Sequence, residues 1–551
     1  MFADLDNDLH FGYQKNGSLV VAFSDEDMVH LEELKKRGEK NGVQRLRVIG
    51  KEELFELEPF VNPSAMGALL APDAGNVIPY EFAIALVENA VDNGVELRIR
   101  REVSAIQRVG ELFHVTAKHW EPKSYLESTS LVDVVASSSS PLTPSEKSKK
   151  QHRNTRNVLN APTVGVVGGL VSALIKFNLI VIPNGSTTQY VIVGVLLTVF
   201  ILLSLSVILP FVSKDGAEGG DSSNGSQKES VDKAPAPVGS GGSKVSVDDM
   251  RVGGSGSCKA MNGVVVEQET FKATYVINCA GSYSDEIAHM INDHSFKIKQ
   301  RLGDYLLLNK NQGHLAKHTL FPCPGKLGKG VLVQTTLWGN LILGPTARDT
   351  YLPECMNMTD EEVQTFILSK CKQLVPSFDA SMVIHAFCGA RAKSTRGDWI
   401  IEPSQQDPHF IHVAGIDSPG LAGSPAIAVD VVKMLRTAGL KVDANKAFNP
   451  KRKAMIVPKN GWNGIRAGPV GKFTDPKVNV VCKCEKVTEA EIVDAIHRSL
   501  PVDSTQAIRK RTRAGMGECQ GDKENYDCET RVRAIIAREL GELISLNVLF
   551  V

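Results

Sequence analysis

The sequence has no surplus charge of either sign: 62 basic and 62 acidic residues cancel over 551 positions. A chain that grips nucleic acid through its phosphates carries a basic excess, so no nucleic-acid partner is expected and recognition must come from local sites. Cysteine is scarce as well, ten residues in all, with four of them in the last seventy positions. That distribution excludes a secreted disulfide scaffold and fits a reducing compartment with a thiolate site near the C-terminus. The opening Met1-Phe2-Ala3-Asp4-Leu5-Asp6 lacks both the basic-then-apolar pattern of a signal peptide and the Arg/Ser richness of a transit peptide. No targeting signal is readable there. A strand-to-helix turn of the form Gly-x-Gly-x-x-Gly is missing too; Val164-Gly165-Val166-Val167-Gly168-Gly169 has the composition without the spacing.

What is present has the length of two or three domains. Ser24-x-x-Asp27 stands before Met28, Leu31 and Leu34 at helical spacing, with Gly42 just past the polar end, which predicts a surface helix. Pro79 opens a second apolar-periodic run that closes at Gly94 and passes into the alternating Val95-Glu96-Leu97-Arg98-Ile99-Arg100, a strand. Helix followed by strand is α/β grammar.

Between residues 119 and 262 the composition changes to serine runs, a basic cluster at Lys147, Lys149, Lys150, Arg153 and Arg156, and a Gly/Ser/Asp-rich stretch. These are linker compositions. Two apolar segments lie inside, residues 163–182 and 190–209. The second is uncharged and the first holds Lys176 and Asn178. Both are long enough to cross a bilayer. If the flanking regions build one domain, the crossings must be two or none, so the segments are expected to form a transmembrane hairpin, the alternative being an insertion foreign to the fold.

Beyond the insertion, Ala273 to Gly281 reads as a strand ending in a tight turn, with a short helix from Ser284. The runs 330–334 and 340–344 read as paired strands around a turn at Trp338-Gly339, which suits an antiparallel sheet. Phe410 to Ile416 is a strand that passes through Asp417-Ser418-Pro419-Gly420-Leu421 into an apolar helix reaching Leu435. The N-terminus of such a helix offers free N–H groups and a positive dipole end to an anionic ligand or a reduced ring.

Four phrases in order, Val276-Ile277-Asn278-Cys279-Ala280-Gly281, Gly389-Ala390-Arg391-Ala392, Gly397-Asp398-Trp399-Ile400-Ile401-Glu402 and Val413-Ala414-Gly415-Ile416-Asp417-Ser418-Pro419-Gly420, resemble the D-amino-acid-oxidase-like flavoproteins, in their glycerol-3-phosphate dehydrogenase and L-2-hydroxyglutarate oxidase branch. The likeness covers roughly residues 10–118 and 263–440. It implies FAD as cofactor, with Gly420 and Leu421 facing the flavin pyrimidine edge, Gly281 near the ribityl chain and pyrophosphate, and Val103 meeting adenine through its backbone. It also implies that Arg391 neutralises the acid group of a small-molecule substrate, a role suited to a planar bidentate donor. The family's glycine-rich βαβ unit would precede Met1 and is absent from the chain, as is the family's histidine-bearing loop, so no catalytic base is named.

The C-terminal region carries Val480-Val481-Cys482-Lys483-Cys484-Glu485, a Thr488-x-x-Glu491 capping box before Ile492, Ala495 and Ile496, and a second helix from Ser504 ending at Gly515 just before Cys519. Two helices thus bracket two cysteine-bearing turns. Four thiolates, Cys482, Cys484, Cys519 and Cys528, suit a 2Fe–2S cluster, or zinc as the alternative. Arg511 to Gly521 resembles the bacterioferritin-associated-ferredoxin-like 2Fe–2S domain, although Cys519 and Cys528 are spaced more widely than that family's last pair. The other six cysteines, Cys279 and Cys388 among them, read as core residues.

The expected fold is therefore α/β: an FAD-binding Rossmann-like flavoprotein, incomplete at its N-terminus, in two parts (residues 1–118 and 263–449) with an antiparallel-sheet substrate domain. A small helical iron–sulfur module over 470–551 completes it. The expected activity is oxidation of a small hydroxy acid or phosphate ester, glycerol 3-phosphate foremost, with electrons leaving through the cluster to a quinone. The alternatives are an L-2-hydroxyglutarate oxidising enzyme and a non-catalytic, membrane-tethered electron-transfer or scaffold protein that has lost FAD. A membrane location, with the mitochondrial inner membrane as the candidate, follows from the expected hairpin and acceptor.

Overall fold

The computed structural model describes residues 1–122, 179–183, 190–194, 263–325, 330–350, 360–441, 445–455, 479–502, 504–521 and 527–540. Local signals place the helices. The helix Asp25–Lys40 starts where the Ser24 hydroxyl accepts the Asp27 N–H at 3.1 Å, with acids in its first turn and Arg37 and Lys40 in its last. It buries Leu31 and leaves most of its length to solvent. The helix Pro79–Asp92 has proline in its first turn and turns Phe82, Ala85, Leu86 and Ala90 inward. These pack with Ile277, Ile411, Val413, Val431 and Leu435 into one core. Burying a side chain such as Phe82 or Leu86 contributes about 1.5–3 kcal/mol each.

That core lies against a mixed sheet built around the long strand Gly263–Asn278. Its first part pairs antiparallel with Leu112–Pro122, which pairs in turn with Arg101–Val109. Its last part runs parallel to Phe410–Ala414, aligning Val276, Ile277 and Asn278 with Phe410, Ile411 and His412. A second sheet, built around Ile298–Leu308 and Val383–Ser394, is largely antiparallel and covers a separate core with Leu306, Leu341, Leu343, Ile367 and Phe378. It is the sheet expected for a substrate domain. Among the described residues, the C-terminal module has three helices, Glu489–Ile496, Thr505–Thr512 and Cys528–Leu540, around its own core. The capping box forms in both directions between Thr488 and Glu491.

The expected transmembrane hairpin is corrected where the structure describes it. Leu179–Pro183 and Tyr190–Gly194 are strands, antiparallel to each other, and Tyr190–Gly194 runs parallel to Gly263–Asn278. Ile180, Val181, Ile182, Val191, Ile192 and Val193 are β-branched, and a short apolar run is as much a strand signal as a helix signal. The remainder of 163–182 and 190–209 and the turn-like Val164–Gly169 lie outside the described residues. No helix among the described residues is long and apolar enough to cross a membrane.

A buried polar knot ties the parallel strands to the adjoining segment. His412 Nε2 meets Asp293 Oδ2 at 3.1 Å, and its Nδ1 accepts from Asn278 Nδ2 at 3.2 Å. This fixes the neutral Nε2–H tautomer. The Ser404 hydroxyl also donates to Asp293. Burial holds the His412 pKa below the ordinary imidazole value, the Asp293 carboxylate opposing it. The native state therefore binds fewer protons there than the unfolded chain, whose imidazole titrates near ~6.5. The stability His412 contributes is present above that pH and is lost as pH falls. Denaturant midpoints measured from about pH 7.5 down to about 5.5 should fall, and fall less steeply in His412→Asn. Parallel profiles for the two proteins would refute this role.

Candidate active site and thiolate site

Because Gly263–Asn278 and Phe410–Ala414 are parallel neighbours, the turns at their C-terminal ends lie side by side, the usual place for a ligand in an open α/β sheet. One is Gly281, at φ 57°, opening a short turn into Ser284–His289. The other passes Gly415, at φ 64°, and Asp417, at φ 62°. A Cβ at Gly415 would stand 2.5 Å from Ser394 Cβ, so only glycine lets this turn lie on the substrate sheet. The helix Gly420–Thr437 follows, with no side-chain cap at Pro419. Gly423 N–H donates to the Pro419 carbonyl at 2.8 Å. The N–H groups of Leu421 and Ala422 stand ahead of it, at the positive end of the helix dipole.

Arg391 sits beside this turn. Its strand bonds to the turn through Asp417 N–H to Ala392 O at 2.9 Å, and its Nε lies 4.0 Å from Asp417 Oδ1. The guanidinium is half-buried and held by three carbonyls: Nε donates to Arg301 O at 3.3 Å, and Nη2 to Leu302 O at 3.1 Å and Thr346 O at 2.7 Å. Gly303 gives it room, since a Cβ there would be 2.9 Å from Nη2. Nη1 has no hydrogen bond among the described residues. The geometry thus presents one fixed cation next to an amide-lined helix end, which can orient an anion and stabilise charge on a bound ring. Gly281, Gly420, Leu421 and Arg391 come together; Val103 does not. It lies on the antiparallel meander, opposite Ala117, next to a bulge at Ser104.

In the C-terminal module, Cys482 ends the strand Val480–Cys482, Cys519 follows the Thr505–Thr512 helix, and Cys528 opens the last helix. Their sulfurs lie within 4.8 Å of one another and all three residues are buried. Hydrogen bonds from the Cys519 and Cys528 thiols, and then one from the Gly515 N–H at 3.3 Å, hold Cys482 far below the ordinary thiol range against its burial. Cys484 is placed differently: it is half-buried in the turn after Cys482, with its sulfur outside that group. It lies against Gly517, where a Cβ would be 2.7 Å from Cys484 Cβ and 2.8 Å from Glu485 Oε1. Gly517→Ala should therefore force the two cysteine loops apart and lower the iron bound per chain well below the wild-type value, measured after reconstitution with iron and sulfide. Full iron loading would contradict it. Of the cysteines read as core, Cys388 and Cys371 are buried, and Cys279 and Cys323 half-buried.

Glu485, Arg513 and Lys310 carry no local sequence signal, yet the structure joins them. Glu485 is fully buried, paired with Arg513 at 3.0 Å and with Lys310 at 2.8 Å.

Residues 1–135 and 249–434 match the FAD dependent oxidoreductase family, more than half of the chain. The chain belongs to the FAD-dependent oxidoreductases. Residues 480–538 match the BFD-like 2Fe–2S binding domain, so the cofactors of this oxidoreductase are FAD and a 2Fe–2S cluster. It is 30% identical to the glycerol 3-phosphate dehydrogenase of Caloramator mitchellensis over 542 residues, 98% of this chain and 80% of that one. It is 34% identical to the glycerol 3-phosphate oxidase of Mycoplasma pneumoniae over 169 residues, 30% and 44% of the two chains. The structure of L-alpha-glycerophosphate oxidase from Mycoplasma pneumoniae with FAD bound is similar in fold, with TM-score 0.50 and 21% identity over 81% of this chain and 78% of that one.

The residues present fit the two groups unequally. The helix end at Gly420 and the turn at Gly281 suit the flavin, and the buried sulfurs suit an iron–sulfur cluster. A Gly-x-Gly-x-x-Gly turn joining strand to helix is absent among the described residues, so its pyrophosphate contacts are not among them.

Proposed function

We propose that this oxidoreductase oxidises glycerol 3-phosphate at its secondary carbinol and sends the electrons through the iron–sulfur module to a quinone-type acceptor. The observation that carries this is that the cysteine-bearing turns lie directly on the flavoprotein, with Lys310 of the substrate sheet in contact with the residue after Cys484. Similarity to a glycerol 3-phosphate dehydrogenase over nearly the whole chain supports the substrate. Membrane association belongs to this reading through the acceptor, a lipid-soluble molecule.

FAD, when bound, supplies a hydride acceptor, and a cluster on Cys482, Cys484, Cys519 and Cys528 supplies one-electron transfer. The protein does the rest. Arg391, fixed by three carbonyls, neutralises the substrate phosphate and places the carbinol; its open Nη1 is the donor for this. The N–H groups of Leu421 and Ala422, at the helix end that Gly420 opens, favour negative charge on the ring edge they face, and the turn at Gly281 would meet the rest of the cofactor through its backbone. The substrate loses a hydride from carbon and a proton from oxygen, leaving a ketone.

Steady-state assays with an artificial one-electron acceptor test this reading. Glycerol 3-phosphate should support turnover, whereas glycerol and L-2-hydroxyglutarate should support little, and oxygen uptake should lag well behind dye reduction. A preference for L-2-hydroxyglutarate would move the substrate assignment, and oxygen uptake equal to dye reduction would remove the case for the module as the exit.

A further inference from the structure

The contact between the two modules has a built centre. A carboxylate taken wholly out of water costs several kcal/mol unless it is paired in good geometry. Glu485 is such a group, and its two cations come from different parts of the molecule. Arg513 follows the Thr505–Thr512 helix within the cysteine module, while Lys310 belongs to the Lys310–Leu315 turn of the substrate sheet. Arg513 also lies 4.8 Å over the Trp338 ring, and the Trp338 indole N–H donates to Glu81 at 2.9 Å. The Tyr80 hydroxyl donates to Met516 at 3.4 Å. Three flavoprotein elements thus converge on the segment 513–517 and on Glu485, next to Cys484.

From this arrangement we infer that the Lys310–Glu485–Arg513 triad is the docking latch that holds the cysteine turns in one orientation on the flavoprotein. If the module swings away, Glu485 keeps Arg513 and loses Lys310, and Arg513 loses the Trp338 face. Undocking therefore leaves the Glu485 carboxylate with one cation instead of two, and the ion pair selects one docked pose over others. Lys310 is a positioning residue: it acts through Glu485 on the turn that carries Cys484. The inference rests on the proposed flow from flavin to cluster, in which each electron leaves the reduced flavin and enters the iron–sulfur group before passing to the quinone-type acceptor. Its rate falls steeply as the two groups separate.

The test compares Lys310→Met with Lys310→Arg in the full chain, reconstituted with iron and sulfide and supplied with FAD. Hydrogen exchange reports docking at the segments containing Tyr80, Glu81 and Trp338, a readout that needs neither flavin nor substrate. Electron arrival is followed by bleaching of cluster absorbance after the flavin is photoreduced, so it does not depend on which substrate the enzyme takes. In Lys310→Met, iron content should stay at the wild-type value, exchange at those segments should rise, and electron arrival should slow by about tenfold or more, equivalent to at least ~1.4 kcal/mol. Lys310→Arg should retain both properties. Wild-type exchange in Lys310→Met would overturn the latch. Loss of iron in that variant would overturn it too, because the lysine would then be holding the cluster rather than the docked pose.

Discussion

Arg391→Ala is expected to lower kcat/KM for glycerol 3-phosphate by about 30- to 150-fold, the ~2–3 kcal/mol lost when one partner of a desolvated charge pair is truncated. The effect should be large because the guanidinium is already positioned. Three backbone carbonyls hold it, at Arg301, Leu302 and Thr346, so little ordering remains when substrate binds. Arg391→Lys should recover only a small part of the loss, since an ammonium cannot bridge the carbonyls and also present a flat donor edge to a phosphate. Flavin content measured in parallel separates substrate binding from cofactor loss. An unchanged kcat/KM with bound flavin would mean that the substrate anion is held elsewhere.

The second large effect is at Cys519. Its sulfur lies 3.7 Å from that of Cys528, and both share the buried group with Cys482. Cys519→Ala removes one thiolate from a compact set, and bound iron should fall from about two per chain towards none, with loss of the sulfur-to-iron absorbance. Reduction of the flavin by substrate should continue while reduction of a quinone stops. Elemental analysis of the parent protein also decides the metal: zinc at one per chain without acid-labile sulfide would replace the cluster by a closed tetrahedral site. Retention of a full cluster in Cys519→Ala would exclude that residue as a ligand.

Much of the fold was written in short-range pattern. The Ser24 cap, Pro79 at the start of its helix, and the Thr488–Glu491 box each act within one turn of backbone, and all three stand as expected. The same holds for the turn between Leu332–Thr335 and Leu341–Gly344, where Gly339 takes φ 85°. The helix Cys528–Leu540, beyond the two helices expected for the module, also has its signal in the sequence. Val532, Ile535 and Ile536 recur at helical spacing and are buried. The apolar runs of the insertion were ambiguous in principle, because hydrophobicity without periodicity does not separate strand from helix. The latch was not legible at all. Lys310 and Trp338 are distant in sequence from Glu485 and Arg513, and only folding of both modules shows that a buried carboxylate draws its second cation from the other one.

The placement of Arg391 follows the same division. Its family phrase was readable, but its three carbonyl partners depend on the register that sets it opposite Arg301, and on Gly303 leaving space for the guanidinium. The left-handed Asp417 beside it is strained backbone held by the surrounding sheet, a feature that clusters at functional sites.

The proposed activity joins flavin chemistry to an iron–sulfur exit on one chain. Its most direct test is an anaerobic visible spectrum of the full chain reconstituted with iron and sulfide, recorded before and after FAD and then glycerol 3-phosphate are added. Flavin bands that bleach with substrate, followed by bleaching of the sulfur-to-iron bands, are the predicted result. Sulfur-to-iron bands alone, with no flavin bound and no response to glycerol 3-phosphate, would contradict it.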